Sequence, residues 1–231
     1  MKQLCAAAIG LLLAAAPAFG VTTTTGNMQC DHEPVSPRIY QPQAGDQAGT
    51  QSLMLTRAFT GKGKLELSVC DGTVRVRPAK SPGQLGLSVE FGSRPENGRT
   101  VADYIQKLEV GAENADLQLK FPPSLHAVVT LTVPPETTNS QFNLGDGDFD
   151  IDAARIGGDR QFNLGHGHAK LLVHGDASYA TLQVNIGMGS LHDHRPGGHD
   201  GHFIVSRSYG GTGKGSLQVN LGAGSVDISQ E

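Results

Sequence analysis

The sequence predicts an all-β protein: a short parallel β-solenoid with a β-rich N-terminal part. Three observations predict it. The stretch "QFNLGDGDFDI" at Gln141 returns as "QFNLGHGHAKL" at Gln161, "QVNIGMGSLHD" at Gln183 and "QVNLGAGSVDI" at Gln218. Apolar and polar residues alternate through these segments and through most of the chain from residue 53, which is the period of a half-buried strand. Glycine is abundant at 31 of 231 residues, hydrophobic residues make up 38%, and Trp is absent. That composition suits short strands, tight turns and a core of Leu, Val, Ile and Phe. An antiparallel β-sandwich with a hairpin at each Gly-x-Gly is the alternative. A meander, however, gives no reason for the same residue to recur at the same phase of every unit.

Residues 1–18 read as a signal peptide. Lys2 supplies the positive start, "LCAAAIGLLLAAA" the apolar run and "APA", ending at Ala18, the cleavage site. The apolar run is too short to span a bilayer comfortably and no second such run follows, so no transmembrane anchor is expected in the mature chain. The expected location is periplasmic or extracellular. Cys5 leaves with the signal. Cys30 and Cys70 remain, an even pair in an oxidising compartment, which predicts one disulfide; two free thiols are the other reading. The formal net charge is −4 and no basic cluster occurs, which argues against nucleic acid or anionic lipid as a partner.

Residues 19–50, rich in Thr, Pro, Gln and Gly, read as a polar, weakly ordered leader. Residues 51–231 read as one repetitive β domain. Within it "KLELSV" and "TVRVRP" alternate around a "CDG" turn, "LGLSVEF" alternates likewise, and "LQLKF" and "AVVTLTV" follow. Val101–Val110 fits either two helical turns or a loop leading into a strand. Pro134 and Pro135 punctuate before the repeats, and the N-terminal half is expected to add early windings or a capping sheet.

The repeat asparagines Asn143, Asn163, Asn185 and Asn220 stand 20, 22 and 35 residues apart. The first two spacings suit one winding of a solenoid, the third a winding with an insertion. Phe142, Leu144, Phe149 and Ile151, with their counterparts in later units, should face inward and stack. Side chains alternate with period two, so Gln141, Gln161, Gln183 and Gln218 form one outer column and the four Asn the next. At about 4.8 Å between windings, stacked amides can hydrogen-bond along a column. The glycine pairs Gly145/Gly147, Gly165/Gly167, Gly187/Gly189 and Gly222/Gly224 mark sharp corners.

"GKLELSVCDGTVRVRP", "VVTLTVPPETTNSQFNLGDGDFDI" and the recurring "NLGxG" corners resemble the bacterial "putative adhesin" family of exported β-strand-repeat domains, over residues 53–231. The resemblance implies a repetitive β fold outside the cytoplasm and carries no catalytic residues. The regular Gln and Asn, and the His-rich stretch near 192–202, depart from that pattern.

Candidate chemistry falls into two groups. His192, His194, His199 and His202, with Asp193 and Asp200, lie within residues 192–202. Imidazoles in such number suit adventitious zinc, nickel or copper, although the spacing matches no established zinc motif; His166 and His168 form a separate pair. No other cofactor is expected. Asp148, Asp150 and Asp152 share the outer side of one strand, with Asp146 at its corner. Placing the windings in chain order sets His168 beside Asp148 and Lys170 beside Asp150, then Ser190 and His192, then Ser225 and Asp227. The simplest reading is surface charge pairing, Asp150 with Lys170, rather than a polysaccharide-cutting carboxylate site or a calcium loop. "GGTGKGS" around Lys214 lacks the first Gly and the Ser/Thr of a phosphate loop. The expected role is therefore non-enzymatic: an envelope protein that is structural or makes glycan or protein contacts, with a periplasmic metal-binding role as the alternative and a polysaccharide-active enzyme as the most remote reading.

Overall fold

The computed structural model describes residue 30 and residues 40–153 and 156–231. The signal peptide and most of the leader lie outside the described residues. The remainder of the leader is anchored. Tyr40 is buried and its hydroxyl donates to Asp46. Asp46 also pairs with Arg57, at 2.6 Å to Nη1 and 2.8 Å to Nη2.

Strands β1 (Gln47–Ala48), β2 (Ser52–Ala58), β4 (Gln84–Phe91) and β7 (Ala127–Val133) form an antiparallel sheet that joins the second half of β3 (Lys64–Pro78). β5 (Ile105–Val110) and β6 (Ala115–Leu119) flank the first half of β3. The ambiguous stretch from Val101 resolves as a 3-10 turn, Val101–Tyr104, that runs into β5. The turn opens with a capping box between Thr100 and Asp103. Tyr104 packs with Phe91 and Phe121 at 5.6 and 6.4 Å between ring centres.

The other edge of β3 starts the parallel stack. β8 (Asn139–Asp152), β9 (Asp159–Val173), β10 (Thr181–Asp193) and β12 (Ser216–Gln230) are long strands bent at the Gly-x-Gly corner. They run parallel with like residues opposite: Gln141 faces Gln161, Asn143 faces Asn163, Leu144 faces Leu164. Inner residues on both sides of the corner are buried, and Phe142 stacks on Phe162 at 4.7 Å while Phe149 meets Phe162 edge-on. The expected all-β class and the parallel in-register windings are both present, within one open 12-stranded sheet.

Two expectations need correction. The windings do not stack in chain order. β12 lies between β9 and β10, so the spatial order is β3-β8-β9-β12-β10. The 35-residue interval contains β11 (Gly201–Gly210), which pairs antiparallel with β10 and ends the sheet. From there the chain turns back inside the stack. His168 and Lys170 therefore neighbour Ser225 and Asp227, while Ser190 and His192 lie one winding further out.

The repeats also number five rather than four. In β3, "ELSVCDGTV" occupies the same register as "QFNLGDGDF" in β8: Glu66 opposite Gln141, Ser68 opposite Asn143, Gly72 opposite Gly147. Ser replaces Asn and Cys70 stands where the later units have their first corner glycine. Both glycines of each corner crowd a carbonyl of the neighbouring winding, a Cβ on Gly147 falling 1.9 Å from the Gly72 oxygen, and the second is also fixed by its backbone angles. The second takes φ near +131° to +150° in Gly147, Gly167, Gly189 and Gly224, a region L side chains avoid. The first lies over a neighbouring carbonyl: a Cβ on Gly145 would be 2.5 Å from the Cys70 oxygen, and one on Gly165 2.4 Å from the Gly145 oxygen. Cys70 begins this column, so its side chain has room, and it is bonded to Cys30 with the Cα atoms 5.5 Å apart.

Arg160 ties successive windings together. It points inward and is nearly fully buried. Its guanidinium donates to the carbonyls of Ala153 and Ile156, which follow β8, and of Ser178, which follows β9, at 3.1, 2.6 and 2.8 Å. Burial pulls its pKa down to about 10.

Candidate functional site

The in-register stack turns each repeat position into a row that crosses the windings at about 4.8 Å per step. Two rows on the first arm carry amides. Asn163 donates through Nδ2 to Oδ1 of Asn143 at 2.8 Å, Asn220 to Asn163 at 2.8 Å, and Asn185 to Asn220 at 3.0 Å. Ser68 closes one end by accepting from Asn143 at 3.1 Å, and Ser206 of β11 closes the other by donating to Asn185 at 3.0 Å. Each Asn oxygen takes a second hydrogen from the Gln two residues earlier: Gln141, Gln161, Gln183 and Gln218 donate at 3.2, 3.0, 3.4 and 3.0 Å. A carbonyl oxygen has two lone pairs, and both are used. The Asn row faces away from the apolar core, yet Asn143 and Asn163 are 2% and 9% exposed. The Gln row and the neighbouring amides account for the contacts around them.

The second arm carries charge. One row reads Arg75, Asp150, Lys170, Asp227, His192 across β3, β8, β9, β12 and β10. The next reads Thr73, Asp148, His168, Ser225, Ser190. Asp150 sits opposite Lys170 as expected, but its ion pair is with Arg77, whose guanidinium also reaches the Asp150 carbonyl at 2.7 Å. One guanidinium thus reaches both the carboxylate and the carbonyl of Asp150. His168 bridges Ser225 at 2.6 Å and Asp227 at 3.2 Å, and His166 meets Asp146 at 3.1 Å on the exposed corner. His174 lies 3.4 Å from Asp152. Each of these carboxylates has a cationic or imidazole neighbour, and they lie along an open face.

Of the predicted metal-binding histidines, the structure gathers three loosely. His192 lies 6.5 Å from His194 and 6.2 Å from His202 between ring centres, and 3.7 Å from an Asp200 oxygen. His199 is exposed on the preceding turn. Among the described residues, no three His, Cys, Asp or Glu side chains converge as a metal-holding group. Asp193 turns away from this cluster. Its side chain is fully covered and binds Arg195 through two contacts, at 2.8 and 2.7 Å. Burial pushes the Asp193 carboxyl upward, but the hydrogen bonds from Arg195 outweigh it and hold the carboxyl low. Arg195 also donates to the Tyr179 hydroxyl at 2.7 Å and lies 4.3 Å from the centre of the Tyr209 ring. The Gly-rich stretch around Lys214 is the connection from β11 to β12. An open hollow of about 430 Å³ beside β3 and β6 is lined by Lys64, Glu66, Glu109, Asn114 and Asp116.

No protein-family model matches the chain, and no curated protein matches it either. Among solved structures, a "putative cell adhesion protein" from Clostridium sporogenes ATCC 15579 is similar to it, with a TM-score of 0.47 and 15% identity over 78% of this chain and 100% of that one. A likeness at that level carries no argument about activity. No helix among the described residues is long and apolar enough to cross a membrane.

Sequence reasoning missed the fifth winding, Arg160 and the Asp193–Arg195–Tyr209 cluster. The "CDG" of β3 was a legible signal, because it matches the "GDG" of β8 at two of three positions. Arg160 shares the inward phase of Phe162 and Leu164 and stands opposite Leu217, but a charged residue at a strand's start ordinarily reads as exposed.

Proposed function

We propose that the protein is an exported, non-enzymatic envelope component that makes adhesive contacts through the outer wall of its parallel stack. One observation carries this reading: five windings in strict register present unbroken, evenly spaced polar rows on an open face. Such a wall favours many shallow contacts with an extended glycan or protein surface over one enclosed ligand. The Asn ladder and the corner packing keep the rows rigid, which lowers the ordering cost of binding. The paired Cys30 and Cys70 support an oxidising compartment, as does the signal-peptide pattern of residues 1–18.

The test is retention of the purified, disulfide-bonded chain on isolated envelope material and immobilised polysaccharides. The comparison is a variant in which Asp148 and Lys170, exposed on the second arm, and His166, exposed at the corner, are replaced by Ala. The expected result is retention that depends on multivalent display and drops in the variant. Equal retention of a folded variant, or no retention of either chain on any surface, rejects the reading.

A further inference from the structure

We propose that Asn97 is a site of spontaneous covalent modification, converting to aspartate and isoaspartate while the other described asparagines persist. Asn-Gly occurs once in the sequence, at Asn97-Gly98. The pair forms the centre of an exposed turn in which Arg99 N–H donates to the Glu96 carbonyl at 3.2 Å. Both central residues are left-handed, with φ of 56° and 68°, as a two-residue turn of this type requires.

Three features favour the reaction there. Gly98 carries no side chain to shield its backbone nitrogen, and nothing lies within 4 Å of the place where a Cβ would stand. Water reaches the turn freely, since residues 96–98 are all exposed. The turn also stands outside any strand, so no ladder of backbone bonds resists a change in its geometry. The Gly98 nitrogen attacks Cγ of Asn97. A bond forms between them, the Cγ–Nδ2 bond breaks, and ammonia leaves with the proton from the Gly98 nitrogen. Water then opens the five-membered ring at either carbonyl, giving aspartate or isoaspartate.

The ladder asparagines are denied each condition. Asn143, Asn163, Asn185 and Asn220 precede Leu or Ile, lie in extended strands, and commit their amides to neighbours at 2.8–3.1 Å. Asn114 accepts from the Lys64 backbone at 2.8 Å and precedes Ala. Asn139 begins β8 and precedes Ser. Conversion at Asn97 places a carboxylate beside Arg99, and the isoaspartyl product adds a backbone carbon three residues before the Thr100 cap.

The full disulfide-bonded chain, held at mildly alkaline pH and 37 °C and sampled over weeks, tests this by mass spectrometry of the tryptic peptide spanning residues 81–99. A gain of about 1 Da, or about 3 Da in ¹⁸O-water, should accumulate there at least about tenfold faster than at any ladder asparagine. An isoaspartate-specific methylation assay should label the same peptide, and Asn97→Gln should remove both signals. Conversion of a ladder asparagine at the same rate overturns the proposal. So does an unchanged Asn97 in the folded chain under conditions that convert the heat-unfolded chain.

Discussion

Asn163 and Asn143, twenty residues apart, are joined by a 2.8 Å hydrogen bond between their side chains. The bond exists because both sit at the same phase of adjacent parallel windings, and it is one rung of a run from Ser206 to Ser68. Neighbouring rungs polarise one another, so an interior member matters more than a terminal one.

Asn163→Ala removes one donor and one acceptor at once, leaving Asn143 and Asn220 each short of a partner. The expected cost is about 2–4 kcal/mol, read as a shift in the urea midpoint. Asn185→Ala, at the more exposed end, should cost less than half of that. Equal losses at both positions would show that the run has no interior advantage.

The corner rows predict a contrast between residues at one register position. Gly165→Ala places a methyl 2.4 Å from a backbone oxygen, and should destabilise by more than about 3 kcal/mol or prevent folding. Cys70→Ala in the same column has no such clash and should lose only the constraint of the disulfide, about 2–5 kcal/mol. If the cost arose from strand propensity alone, Cys70→Gly and Gly165→Ala would have opposite, small effects.

How much of this was legible beforehand differs by position. Strand phase, the Asn and Gln rows and the corner glycines were readable because a period of two and a repeat near 20 residues act locally on every unit. The order of windings was not. The four repeats are so alike that β10 and β12 each offer acceptable neighbours to β9, and the choice depends on how β11 turns the chain. Unlikeness concealed Arg77 as the partner of Asp150, since Arg77 belongs to a winding whose Ser68 and Cys70 disguise its kinship.

Arg195→Ala strands the fully covered carboxylate of Asp193 and removes the cation from the Tyr209 ring. The expected loss is about 3–5 kcal/mol, with β11 losing amide protection before the rest of the sheet in hydrogen exchange. Replacing both Asp193 and Arg195 with apolar residues should recover part of it. A double variant no better than the single one would mean the pair is needed for more than mutual compensation.

Acid should loosen the N-terminal edge first. Arg57 beside it holds the Asp46 carboxyl at about 2, against an ordinary value of 3.8. Because the folded-state value is the lower one, this contribution is present above about pH 4 and disappears as pH falls toward 2. Asp46→Asn should flatten that limb of the stability profile and leave the neutral-pH dependence unchanged; an unaltered acid limb would remove Asp46 from its causes.

The intercalation of β12 between β9 and β10 has a temporal consequence. A ribosome or secretion channel delivers Thr181–Asp193 before Ser216–Gln230, so the interior position is the last to receive its occupant. The molecule therefore cannot be wound up turn by turn as it emerges. Its middle stays open until the final segment arrives, and whatever holds the chain extended during delivery must let go only then.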